Sequence, residues 1–169
     1  MERKPRDQKT SFFTGREWIH VGITGAVEAI LTICAYLFGG GIAALAAVAA
    51  AEVGGDPLAL SAAEATHQTA MTMAFLTLSL SQLFAAVGFQ SERSSVFRIH
   101  PRRHPMLWLA FAGSAALQLM VVLFPPLRNL FNLQMLAPLQ WIQVVALCLI
   151  MLLFVEAQKL IMRTRKKPQ

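Results

Sequence analysis

The sequence predicts an all-α, polytopic membrane protein: a bundle of four transmembrane helices with both termini in the cytoplasm. Three observations predict it. Hydrophobic residues make up 56% of the 169, charged residues only 14%, and the mean hydropathy is +0.53. A soluble domain carries about 25% charged residues, and a chain this short has too little interior to hide so much apolar surface. The apolar residues also gather in four runs, at 18–38, 71–89, 106–124 and 139–155. Each run has the length of a membrane-crossing helix, about 20 residues. Helices are the natural solution because backbone groups in lipid must be paired within the segment, and no barrel-type alternation is present. Third, the basic residues alternate between the runs. Lys and Arg number five before the first run, none in the next connection, then four, one, and five after the last. Cytoplasmic loops are the Lys- and Arg-rich ones, so this alternation sets the orientation.

Residues 1–16 form a polar, basic N-terminal segment without the short apolar core of a secretory signal. The transmembrane domain is expected over 17–163, and 164–169 is a basic cytoplasmic tail that meets anionic headgroups. Gly39-Gly40-Gly41 follows the first run, and an alanine-rich stretch, 42–51, follows the glycines. One unbroken helix over 18–51 would be about 50 Å long. A break at the glycines is therefore expected, with the alanine stretch as an extension or a second short helix beyond the hydrocarbon core. Gly54-Gly55-Asp56-Pro57 reads as a turn, and 61–68 as a short lead-in to the second span. Loops 52–68 and 125–138 are expected outside and loop 90–105 inside. Pro125-Pro126 closes the third span. Cys34 and Cys148 lie inside apolar runs and read as buried thiols without a disulfide.

Three spans carry small or polar residues at helical spacing: Gly22, Gly25, Ala26, Ala29 and Thr32; Thr72, Ser79, Gln82 and Ala86; and Ala110, Ser114 and Gln118. Such faces pack against other helices, within the chain or on a partner. Glu28 stands near the middle of the first span, on the stripe of Gly25 and Thr32. An ionisable residue at that depth is costly, so it is either functional or paired. It reads as an ion or proton ligand, or as a protonated, hydrogen-bonded structural glutamate. No second carboxylate lies deep in a span, so this chain alone builds no complete metal site. Gln82 read without context is a structural hydrogen-bonder. Glu156 and Lys159, three apart at the end of the last span, read as an interfacial ion pair.

Enzyme chemistry is missing from the pattern. The chain has no Walker loop, GxSxG, HExxH or CxxC motif. His20, His67, His100 and His104 lack metal-ligand spacing. Nucleic acid is a poor partner for a basic chain whose charges sit between membrane spans.

Thr72-Met73-Ala74-Phe75, Leu80-Ser81-Gln82-Leu83-Phe84 and Ser91-Glu92-Arg93 together resemble the eighth helix and following loop of type II P-type cation ATPases. Pro125-Pro126-Leu127, Leu130-Phe131 and Trp141 are similar to the connection into that family's tenth helix. Val155-Glu156-Ala157-Gln158-Lys159-Leu160-Ile161 resembles that helix's ending. Arg3-Lys4-Pro5-Arg6 with Ser11-Phe12-Phe13 resembles the approach to the seventh. The likeness covers 3–163 and is weakest over 39–70. One departure is Met71, where the family often has Arg. The resemblance implies the last four helices, seven to ten, of a calcium-type pump. The nucleotide and phosphorylation domains, with their Asp-Lys-Thr-Gly motif, are not in this sequence. By resemblance, Gln82 is the one position that contributes to a cation site, completed by partner helices. No other cofactor is implied, and Ca2+ or another cation binds only with those helices.

Three functions are open on this reading. The chain is a support module without ATPase activity of its own, a split part or partner of a cation pump core. Or it is a non-functional fragment of a disrupted pump gene. Or it is an independent small channel or regulator, homo-oligomeric, in which Glu28 is the working group. The expected location is a bilayer of the bacterial plasma-membrane type.

Overall fold

The computed structural model describes residues 15–89 and 105–165. The described residues form helices and connections, with no strand. The helices are α1 (Gly15–Phe38), α2 (Gly41–Gly54), α3 (Pro57–Phe89), α4 (Pro105–Leu123), α5 (Pro125–Leu130) and α6 (Pro138–Arg165). The basic segment 1–16, loop 90–105 and tail 164–169 fall wholly or largely outside the described residues.

The break after the first run lies where the glycines predict it. Gly40 takes φ 77°, a left-handed conformation that glycine adopts without a Cβ clash. Gly39 lets α1 and α3 touch: a Cβ there would stand 2.5 Å from Ala70 Cα. Gly41 lies under the Tyr36 ring, whose hydroxyl is 3.1 Å from the Gly41 carbonyl oxygen and 3.2 Å from His67 Nδ1. The alanine stretch is then a separate helix, α2, packed along the first half of α3. It ends at Gly55, φ 66°, whose N–H bonds the Ala51 carbonyl as a left-handed C-terminal cap does.

The connection expected over 52–68 is corrected by the structure. Asp56 is an N-cap rather than the middle of a turn. Its Oδ1 accepts from the N–H groups of Leu58, at 3.0 Å, and Ala59, at 3.3 Å, and Pro57 takes the first helical position, where a missing N–H costs nothing. From there the chain is helical without interruption for 33 residues, about 50 Å. The second span, expected to start at 71, is thus the later part of a longer helix. Glu64 is exposed on this alanine-rich helix and His67 is half-buried against Tyr36.

Three helical stretches are long and apolar enough to cross a membrane: Trp18–Phe38, Pro57–Gly88 and Pro138–Ile161. The third expected span is a shorter apolar helix, Trp108–Leu123, stopped by Pro125 and Pro126. At the start of α6 the Gln140 side chain accepts from the Ala137 N–H at 2.8 Å, half of a capping box, with Pro138 between them.

Helices α1, α3 and α6 pack on one another, with α3 in the middle. Leu31 and Ala35 of α1, Met73 and Leu76 of α3, and Val144, Cys148 and Met151 of α6 share this core. Gly88 admits Val155 so closely that a Cβ would meet its Cγ1 at 2.6 Å. Helix α4 leans on α3, where Phe111 meets Phe84 edge to face at 5.6 Å. At the end that carries α2 and α5, the connection to α6 is tied down by polar groups. The Gln134 N–H donates to Thr72 Oγ1 at 2.9 Å, and Gln134 Nε2 donates to Gln68 Oε1 at 2.6 Å.

Candidate functional site

Helix α1 places Glu28 ten residues from either end of its apolar stretch, Trp18–Phe38. It is half-buried against α3. Ser81, fully buried on α3, approaches with Oγ 2.9 Å from Glu28 Oε1. The same Oγ is 2.9 Å from the Leu78 carbonyl oxygen of its own helix. Thr32 donates back to the Glu28 carbonyl at 2.9 Å. Glu28 therefore faces a polar side chain of α3, near apolar residues such as Leu31 of its own helix.

Gln82 follows Ser81 and turns the other way. It is exposed on the outer face of α3, in a row with Met71, Phe75, Leu78 and Ala86. The face expected from Thr72, Ser79, Gln82 and Ala86 is therefore split. Thr72 is buried and serves the connection to α6, whereas Gln82 and Ala86 look outward. The stripe on α1 is also uncovered. Gly22, Gly25, Ala26 and Ala29 are exposed, and a Cβ on either glycine would meet nothing within 4 Å. On α4, Ala110 and Ser114 are exposed, and the half-buried Gln118 has its Nε2 buried without a hydrogen-bond partner. Among the described residues, packing thus leaves the α1 stripe, Gln82 and Ala86 of α3, and Ala110 and Ser114 of α4 exposed.

At the opposite end of the bundle from α2, Lys159 Nζ is 2.8 Å from Glu156 Oε1. The pair is more enclosed than an interfacial pair, with side chains 4% and 12% exposed. One position before Lys159, Gln158 is buried with Oε1 3.3 Å from Thr24 Oγ1, which also donates to the His20 carbonyl. This α1–α6 link was not signalled by spacing, because its partners are 134 residues apart. Ser81 was missed for the same reason. Its only signal was its place beside Gln82.

No group of three or more His, Cys, Asp or Glu able to hold a metal exists among the described residues. Glu28 and Gln82 are brought near one another along α3 but point to different sides, so they do not form one site. Cys34 and Cys148 are free thiols.

Long apolar helices, three of them able to cross a bilayer, define an integral membrane domain. The family model described as "Cation transporting ATPase, C-terminus" matches residues 1–161, and the chain belongs to that family. It is 30% identical over 164 residues to Calcium-transporting ATPase 1 of Bacillus cereus, covering 95% of this chain and 17% of the relative. It is 29% identical over 167 residues to the Calcium-transporting ATPase of Bacillus subtilis, covering 99% of this chain and 16% of the relative. Human Calcium-transporting ATPase type 2C member 1 is 32% identical over 98 residues, 58% of this chain and 11% of the relative. The chain spans about a sixth of the length of the two bacterial relatives.

Proposed function

We propose that this chain is the support module of a calcium-type cation pump: a set of membrane helices that packs against transport helices lying outside the sequence and has no ATPase activity of its own. One observation carries the reading. The α1 stripe and the outer face of α3 are exposed although they bear the residues that bring helices together. In lipid there is no hydrophobic force between helices, so small residues and interhelical hydrogen bonds decide where they meet. An amide left in hydrocarbon costs about 2 kcal/mol or more, so Gln82 favours a covering helix. Beneath such a helix its neutral carbonyl would add one oxygen to a cation site without adding charge. The basic residues orient the module with both termini in the cytoplasm, in a membrane of the bacterial plasma-membrane type.

The test is the assembly the chain forms in its native membrane. Tagged protein, gently solubilised, is expected to come away with pump domains, either on the same polypeptide or on a separate one, and with the corresponding mass. A lone chain of 18.6 kDa or a homo-oligomer would overturn this reading. It would leave the silent fragment, or the channel using Glu28, in its place.

A further inference from the structure

If Glu28 is a carboxylate, a single Ser81 hydrogen serves two acceptors. A serine hydroxyl supplies one hydrogen and two lone pairs, and an ionised carboxylate supplies none. Ser81 Oγ stands 2.9 Å from two acceptors at once, Glu28 Oε1 and the Leu78 carbonyl oxygen. With an ionised Glu28, the one Ser81 hydrogen has to be shared between the two acceptors in a weaker three-centre bond. With an acid, each contact has its own hydrogen. The Glu28 O–H donates to Ser81 Oγ, and the Ser81 O–H donates to Leu78.

The surroundings agree. Glu28 lies about 15 Å from either end of the apolar stretch of α1, by 1.5 Å per residue. Among the described residues the ion pair present joins Glu156 to Lys159, and no cation is paired with Glu28. The other titratable groups on the packed helices stand elsewhere. His20 is two turns away on α1, and Cys34 follows Glu28 by six residues. Tyr36 and His67 contact one another at the α2 end. Cys148 contacts the Thr77 carbonyl oxygen. Glu28 is only half-buried, and its open side adjoins Gly25 and Thr32, so the acid borders the uncovered stripe.

We propose that Glu28 and Ser81 form a proton-binding site in the middle of the bundle, in which Glu28 holds the proton and donates it to Ser81. Uptake removes one proton from water and one negative charge from the membrane interior, and no covalent bond other than O–H changes. The site does not depend on the pump-module reading, since both residues belong to this chain.

The test is infrared spectroscopy of the full chain in lipid nanodiscs at neutral pH, as a difference between the wild type and Glu28→Gln. The wild type is expected to show a hydrogen-bonded carboxylic-acid C=O band that Glu28→Gln lacks and Ser81→Ala shifts. A difference spectrum holding only carboxylate bands would overturn the site. Should Glu28→Gln fail to fold, carbon-13 NMR of the wild type labelled at its seven glutamates decides. One carboxyl in the acid form, moved by Ser81→Ala, supports the site. Seven carboxylates, or an acid signal indifferent to Ser81→Ala, overturns it.

Discussion

Glu156 and Lys159 form an ion pair enclosed within the described bundle. The Lys159 side chain is 4% exposed and its Nζ lies 2.8 Å from Glu156 Oε1. Removing one partner of a buried pair costs about 3–5 kcal/mol, because the other charge is left without compensation. Glu156→Ala is therefore expected to unfold well before the wild type when SDS is titrated into mixed micelles. The double variant Glu156→Gln, Lys159→Met should recover most of the loss. A Glu156→Ala curve that overlays the wild type would contradict the buried-pair account. At this scale the sequence is legible where contacts are local. Glu156 and Lys159 sit three apart, so one helix joins them. The partner of Glu28 was not legible, because it depends on the register of α1 against α3 across 53 residues. Nothing in the pattern of a single helix fixes that register.

The glycines divide into those pressed against a neighbour and those beside open space. At Gly39 an added Cβ falls 2.5 Å from Ala70 Cα, a backbone atom that cannot step aside. Overpacking of that kind costs about 1–3 kcal/mol. At Gly25 nothing lies within 4 Å, and alanine favours the helix by up to about 1 kcal/mol. Gly39→Ala should therefore lower the stability of the isolated chain, and Gly25→Ala should leave it level or raise it slightly. Thermal unfolding followed by circular dichroism orders the two variants, and the reverse order would refute the packing of α1 on α3. The break between α1 and α2 was readable because glycines interrupt a helix that would overrun the bilayer. The early start of α3 was not. Asp56-Pro57 is equally a turn and a helix cap, and only the N–H groups of Leu58 and Ala59 bonded to Asp56 distinguish the two.

Taken as a whole, the chain belongs to the C-terminal domain family of cation-transporting ATPases, and its sequence contains no Walker or Asp-Lys-Thr-Gly motif. Contaminant-free protein is expected to release phosphate from ATP at background rate, with or without calcium. Sustained turnover would show that catalysis resides in these helices after all. Membrane character was legible from composition and from the four apolar runs. The uncovered faces were not, since the same small residues serve packing inside a bundle and packing outside it. Helix α3 has a further consequence. At about 50 Å it is far longer than a hydrocarbon slab of about 30 Å. Tilts of up to about 40° shorten its projection along the membrane normal only to about 38 Å. Some apolar surface of α3 must therefore leave the slab, or the lipid must thicken around it. Helix α2 lies along the first half of α3, so the surplus is shared by the pair. The depth at which the α1 stripe and Gln82 meet a neighbour is then set partly by the lipid, and acyl-chain length becomes a variable of assembly in its own right.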